Sequence, residues 1–223
     1  MTESAPTIDP RLAAALADQF RQWRVTLRDG AERVGWKLGV GDRERIGDEL
    51  AIGHLTSATC LDPDAAYHAD GDADLHADAE VVFELGRDLD PDDPAAVHEA
   101  IAGIGVALEI VDLARPPDDP VSVVAANVFH RAVAFSPFQP TPPAGRIQGR
   151  LIVNSRVQAS AWVADNIADR VGAAARLLGA MGERLQAGDR IITGSVVQVP
   201  VKVGDQVIAD MGVLGRVPLV IVS

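Results

Sequence analysis

The sequence predicts an α+β domain built on a large, mostly antiparallel β-sheet. Three observations carry this. Strand-like runs outnumber helical ones, and the helices do not alternate with the strands as a doubly wound sheet requires. The C-terminal stretch from Ala187, "AGDRIITGSVVQVPVKVGDQVIADMGVLGRVPLVIV", is a series of strands broken by Gly-Asp turns. Hydrophobic residues make up 48% of the 223 but aromatics only 4%, so a globular core must be packed from Ala, Val, Ile and Leu.

The elements follow in chain order. "IDPRLAAALADQFRQWRVTLRDG" is a helix: Asp9 caps it, Pro10 takes the first helical position, and Leu12, Leu16, Phe20, Trp23 and Leu27 recur at helical spacing until Gly30 ends it. Residues 1–32 form an N-terminal helical segment and 33–223 the main domain. "RVGWKLGV" is a short apolar run between glycines. A polar stretch and the loop "LDPDAAYHADGDAD" lead into a strand, "HADAEVVFELGRDLD". A second helix is expected from Asp93, in "DPAAVHEAIAGIG", because Asp again precedes Pro. "GVALEIVD" reads as a buried strand, "VSVVAANVFHRAVAF" as strand-like and "FQPTPPAGR" as a Pro-rich loop. "RIQGRLIVNSRVQASAW" is a hairpin turning near Asn154 and Ser155, and "DNIADRVGAAARLLGAMGERL" is the third helix.

Charge excludes several functions. A net charge of −12 repels nucleic-acid phosphates and anionic membrane surfaces. No apolar run is long enough to span a bilayer, and "MTESAPTIDP" reads as no leader peptide. The single Cys60 has no partner for an intrachain disulfide, which fits a reducing cytosol. A cytoplasmic protein acting on a small molecule is the expectation.

The candidate chemistry sits in four places. In "HADAEVVFELG" the period of two puts Ala79, Val81, Phe83 and Leu85 on one face and Asp78, Glu80, Val82 and Glu84 on the other. That second face is either solvent or a metal site. Glu109 in "GIGVALEIVD" is flanked by apolar residues, where an ionised carboxylate is costly without a cation. It either reaches solvent or an Arg at a strand end, or belongs to a site. Lys37 in "VGWKLGV" lies in an interior run. Only Lys37 and Lys202 are lysines among 20 basic residues, and a desolvated Lys can exchange a proton where Arg cannot. The plainer alternative is a snorkelling side chain. Thr193, Gly194 and Ser195 in "IITGSVV" form either an anion-holding loop or an ordinary turn. The histidines, His54, His68, His76, His98 and His130, show no metal-ligand spacing and are expected mostly at the surface. The run Asp70, Asp72, Asp74 fails as a calcium loop, with Leu75 at the turn and Val81 at the twelfth position.

Taken together, Asp78, Glu80 and Glu109 make an all-oxygen set suited to Mg²⁺ or Mn²⁺. Such an ion leaves positions open for a chelating 2-oxo acid, whose keto group it would polarise while Lys37 shuttles a proton.

"GWKLGV", "ADAEVVFELGRDL", "ALEIVD" and "GERLQAGDRIITGS" with "VPVKVGDQVIADMGVLGRVPL" occur in that order. This ordered set resembles the 2-keto-4-pentenoate hydratase and 4-oxalocrotonate decarboxylase group of the fumarylacetoacetate hydrolase superfamily. The resemblance runs from about Arg33 to the C-terminus. It implies a fumarylacetoacetase-like fold, a mixed β-roll or barrel flanked by helices, with 33–223 as the catalytic domain. It implies Mg²⁺ or Mn²⁺ on Asp78, Glu80 and Glu109, a catalytic Lys37, and substrate contacts from Asn127, Thr193, Gly194 and Ser195. A homo-oligomer is implied too, with a related pathway enzyme as a possible partner. The sequence departs from the group at Asp78, where Glu is usual, and at Ala126, Phe129, His130 and "DNIAD". Phe129 and His130 are bulky where relatives are small, and so would reshape the pocket.

The expected activity is therefore a metal-dependent lyase, a hydratase or decarboxylase, on a short 2-hydroxydienoate or 2-oxo-enoate, as in the degradation of aromatic compounds. A C–C hydrolase of acylpyruvate type is the alternative; its base would have to come from "GDRERIGDEL", which has Glu44 and Glu49 but no His, or from His54. A non-catalytic assembly subunit of the same fold is the third reading.

Overall fold

The computed structural model describes residues 9–39, 50–90, 93, 96–114, 119–141 and 143–223. Helix α1 (Pro10–Arg28) begins where the Asp9 carboxylate accepts from the Arg11 N–H. It buries Ala15, Leu16, Phe20 and Trp23. Trp23 and Phe20 meet Trp36 with ring centroids 5.1 and 5.6 Å apart. Gln19, fully buried, donates to the carbonyls of Ile52 and Val124. The helix thus shares one core with the sheet beneath it.

The strands are β1 (Arg33–Gly39), β2 (Ala51–Thr56), β3 (Cys60–Leu61), β4 (Ala66–His68) and β5 (Leu75–Leu85). Next come helix α2 (Val97–Ala100), β6 (Ile101–Asp112), helix α3 (Pro120–Ala125) and β7 (His130–Phe135). Then follow β8 (Gln148–Val153), β9 (Arg156–Trp162), helix α4 (Asp169–Ala180) and β10 (Arg190–Ile192). The chain closes with β11 (Val197–Pro200), β12 (Gln206–Asp210) and β13 (Arg216–Val222). One sheet runs β2-β1-β10-β5-β6-β7-β3 with β11 also on β5; the other runs β4-β13-β12-β8-β9. The pairs β1–β10, β3–β7 and β4–β13 are parallel and the other pairings antiparallel. These mixed sheets curl into a half-barrel with a few flanking helices, the α+β roll expected.

Four expectations need correction. The helix from Asp93 is, among the described residues, only the four-residue α2; the chain is already in β6 at Ile101. Ile101, Ile104 and Val106 are β-branched, and Gly103 lies against Phe138, where an added Cβ would come within 3.0 Å. Pairing along the whole of β5 outweighs the helical spacing. "VSVVAANVFHRAVAF" is not one strand: Asp119 caps α3 by accepting from Val121 and Ser122, and only His130–Phe135 is extended. The Asp-Pro pair at 119–120 was the signal, and the valines masked it. The helix expected from Asp165 is α4, and it starts at Asp169. The stretch read as the loop "LDPDAAYHADGDAD" contains the short strand β4. The hairpin turns as expected, with Asn154 and Ser155 both left-handed at φ 49° and 64°.

Candidate metal centre

The large sheet has two buried faces. Ala77, Ala79, Val81, Phe83 and Leu85 of β5 join the main core with Trp36, Leu38, Val106, Leu108 and Ile110. On the opposite face Val82, Leu55, Ala107, Val133, Phe135 and Ile192 form a second apolar cluster. Asp78 and Glu80 share this second face, so it is an interior surface and not solvent. All three carboxylates are buried, with Asp78 4%, Glu80 2% and Glu109 1% exposed.

Strand pairing brings them together. Asp78 stands directly opposite Glu109 in the β5–β6 ladder. One carboxylate oxygen from each of Asp78, Glu80 and Glu109 lies within 4.8 Å of the others. The loop after β10 passes over them. The Gly194 N–H donates to Glu80 Oε2 at 2.8 Å, and Ser195 Oγ donates to Asp78 Oδ1 at 3.0 Å. Gly194 has φ +94°, a conformation that glycine adopts without strain. The Thr193 hydroxyl donates instead to the Val81 carbonyl, and its own carbonyl accepts from Arg170. Gln198, opposite Asp78 on β11, adds a side-chain hydrogen bond to that carboxylate.

Lys37 reaches the cluster from β1 because the sheet curls. Its Nζ lies 2.6 Å from Glu109 Oε1 and donates to the Val128 carbonyl at 2.8 Å, with the residue only 3% exposed. Gly53, opposite Lys37 on β2, makes room for this: an added Cβ would fall 2.6 Å from Lys37 Cγ and 2.7 Å from Asn127 Oδ1. Asn127, Val128 and Phe129 are all left-handed, at φ 62°, 52° and 63°. For a β-branched Val this is a strained backbone, held here by its surroundings. Asn127 supplies part of that hold. Its Oδ1 accepts from the His54 N–H at 2.7 Å and its Nδ2 donates to the His54 carbonyl at 3.0 Å. The Asn127 amide is thus engaged with β2, while the backbone turn it anchors offers the Val128 carbonyl to Lys37.

His130, one of five histidines expected mostly at the surface but also a bulky departure near the pocket, is buried, and its Nδ1 lies 2.7 Å from Glu109 Oε1. Thr59 Oγ1 lies 2.9 Å from its Nε2. His130 stood out in the sequence only as a bulky departure near the pocket, and Thr59 carried no signal, since its contact with His130 spans 71 residues of chain. His54, by contrast, pairs with Trp36 and stacks near Trp23 on the α1 side of the sheet. Burial, with a smaller contribution from the charge of His130, lowers its pKa to about 4. Glu44 and Glu49 lie outside the described residues.

The electrostatics fit a divalent cation. Burial, then the charge of Glu109, pushes Asp78 up to about 7, and burial with Glu109 and Asp78 pushes Glu80 well above the carboxylate range. Burial also opposes the charge on Glu109, but Lys37 and His130 outweigh it and hold this carboxyl below its usual value. Burial, outweighing the attraction of Glu109, lowers the pKa of His130. Among the described residues, the three carboxylates once ionised stand against one ammonium and leave two negative charges, which one divalent ion would cancel. Glu109 Oε2 is buried with no hydrogen-bond partner among the described residues, a lone pair such an ion would take. The donor set, all carboxylate oxygen, suits a hard cation.

A proton and a metal at this cluster would compete for Asp78, so binding would release a proton below about pH 7. Mn²⁺ affinity should fall roughly tenfold or more from pH 8 to pH 6. Calorimetry at the two pH values, in buffers of different ionisation enthalpy, measures both the loss and the proton released.

The family profile described as fumarylacetoacetate (FAA) hydrolase C-terminal matches residues 48–222. Among solved structures, 4-oxalocrotonate decarboxylase from Pseudomonas putida G7, complexed with magnesium and adipate, superposes with a TM-score of 0.85 at 21% identity, covering 95% of this chain and 86% of that one. Fumarylpyruvate hydrolase from Pseudomonas aeruginosa, in complex with Mn²⁺ and pyruvate, gives 0.65 at 15% identity over 86% of this chain and 90% of that one. The 5-carboxymethyl-2-hydroxymuconate delta-isomerase from Mycobacterium smegmatis gives 0.65 at 16% identity over 86% and 78%. No curated protein matches the sequence. Among the described residues, no helix is long and apolar enough to cross a membrane.

Proposed function

The chain belongs to the fumarylacetoacetate hydrolase family, and on that premise we propose that it is a Mg²⁺- or Mn²⁺-dependent lyase acting on a short, unsaturated 2-oxo acid. The observation that carries this reading is the convergence of Asp78, Glu80 and Glu109 with a buried Lys37 on one interior face. Asp78, Glu80 and Glu109 would hold the ion. When bound, it supplies Lewis-acid polarisation of a substrate's keto and carboxylate oxygens.

The chain's own residues do the rest. Thr193–Ser195 and its loop set the carboxylates through Gly194 and Ser195 and close one side of the site. Lys37 holds protons at Nζ, with one hydrogen bond to Glu109 and one to Val128. In decarboxylation, the bond to the departing carboxylate breaks and its electron pair moves into the conjugated system toward the 2-oxygen. Lys37 then delivers a proton to carbon. The second apolar cluster on the same face, with Phe135 and Ile192, limits water there. The similarity in fold to a decarboxylase, at a TM-score of 0.85 against 0.65 for the hydrolase, supports loss of CO₂ ahead of C–C hydrolysis. The placement of His54 on the α1 side also weighs against its serving as a hydrolytic base.

A panel of 2-hydroxydienoates and 2-oxo-enoates, with and without a vinylogous carboxylate, tests the reading. Loss of the dienoate absorbance with Mg²⁺ and its absence after EDTA are expected, with CO₂ evolved from the vinylogous acids. Cleavage of acylpyruvates alone would transfer the assignment to the hydrolase reading, and metal binding without any turnover would favour an assembly subunit.

A further inference from the structure

We propose that His130 is a positioning residue for the metal centre: backed by Thr59, its imidazole fixes the Glu109 carboxylate so that Oε2 faces Asp78 and Glu80. The inference rests on the metal-centre reading above. Glu109 Oε1 meets both Lys37 Nζ, at 2.6 Å, and His130 Nδ1, at 2.7 Å, while Oε2 meets no donor among the described residues. An ionised carboxylate only accepts, so the hydrogen in the second contact belongs to Nδ1. That leaves Nε2 facing the Thr59 hydroxyl at 2.9 Å, which anchors the far side of the ring. The imidazole is held at both nitrogens and cannot rotate without losing both bonds.

The sheet is shaped to put His130 here. Glu109 pairs with Val133 and Ile110 with Ala132, but the β6–β7 register then shifts, and Val111 pairs with His130. In the regular register Arg131 would stand opposite Val111. Residues opposite one another share a face, and Val111 has the parity of Glu109. The bulge therefore gives the Glu109 face to His130 and frees the Arg131 guanidinium to bond Asp112. The three left-handed residues just before, 127–129, steer the chain into that bulge. The arrangement separates two tasks. Lys37 can move with a proton while His130 keeps the ligand oxygen aimed.

Mn²⁺ calorimetry on the full chain tests this with four proteins: wild type, His130→Leu, His130→Asn and Thr59→Val. His130→Leu should weaken Mn²⁺ binding about 10–100-fold, as loss of a ligand's supporting partner typically does. His130→Asn can donate from near the Nδ1 position and should recover most of that loss. Thr59→Val should weaken binding in the same direction by a smaller factor. Wild-type affinity in a folded His130→Leu protein, or His130→Asn binding as weakly as His130→Leu, would overturn the proposal. Should His130→Leu fail to fold, Thr59→Val decides: weaker binding supports the proposal and unchanged binding overturns it. If wild type itself binds no Mn²⁺, the metal-centre reading fails first, a result distinct from wild-type binding that every variant shares.

Discussion

Lys37→Met is expected to fold, to bind Mn²⁺ at least as tightly as wild type, and to lose about 10²–10⁴-fold in turnover, the range typical of a general acid–base group. Methionine keeps the unbranched stem that lies over Gly53 and removes only the ammonium. Arginine is the poorer test. Nζ sits between Glu109 Oε1 and the Val128 carbonyl, at 2.6 and 2.8 Å, and a longer, planar guanidinium would keep the charge while changing that geometry. Metal binding should not suffer, because the ammonium competes with the ion for the same carboxylates. Steady-state turnover beside calorimetry separates the two effects. Unchanged turnover would reduce Lys37 to a counter-charge for Glu109. Lost turnover together with lost metal would mean that Lys37 holds the site rather than working in it.

Glu109→Gln should weaken Mn²⁺ binding by more than about 100-fold, beyond what loss of a supporting partner costs. The substitution keeps the shape of the side chain and its contacts with Lys37 and His130, but removes the charge that the ion needs. The metal-free variant should still fold, with some loss of stability because the buried Lys37 loses the charged partner that it holds below the usual carboxylate range. Burial opposes ionisation of all three carboxylates, and Glu109 raises the pKa of both Asp78 and Glu80. Removing it relieves that repulsion. Relief of the repulsion offsets part of that loss, and thermal unfolding checks both points: the variant should show a cooperative transition at or somewhat below the wild-type temperature without metal, and Mn²⁺ should no longer raise it.

How much of this was legible in the chain depends on distance along it. The alternation in "ADAEVVFELG" placed Asp78 and Glu80 on one face because period two is a local property. The apolar neighbours of Glu109 and Lys37 marked both as interior, and both are buried. The structure brings these four side chains together with the loop at Gly194 and Ser195. What the sequence could not show is set by curvature and register. Lys37 meets Glu109 although β10 and β5 lie between their strands, because the sheet curls. His130 turns inward because of a one-residue bulge, and "NVFHR" carries no mark of it. The run at 127–129 was read as extended because Val and Phe favour strands; the left-handed turn there is imposed by tertiary contacts, chiefly the Asn127 bonds to His54.

The central claim is that Asp78, Glu80 and Glu109 hold one divalent ion that a 2-oxo acid then chelates. The most direct measurement is anomalous diffraction from a crystal soaked with Mn²⁺ and oxalate, which mimics the enolate of such an acid. The account predicts one manganese peak bonded to an oxygen of each carboxylate, Glu109 Oε2 among them, at about 2.1–2.3 Å, with oxalate on the open side and Lys37 within hydrogen-bond reach of it. An empty carboxylate cluster, or manganese bound only elsewhere on the protein, would contradict it.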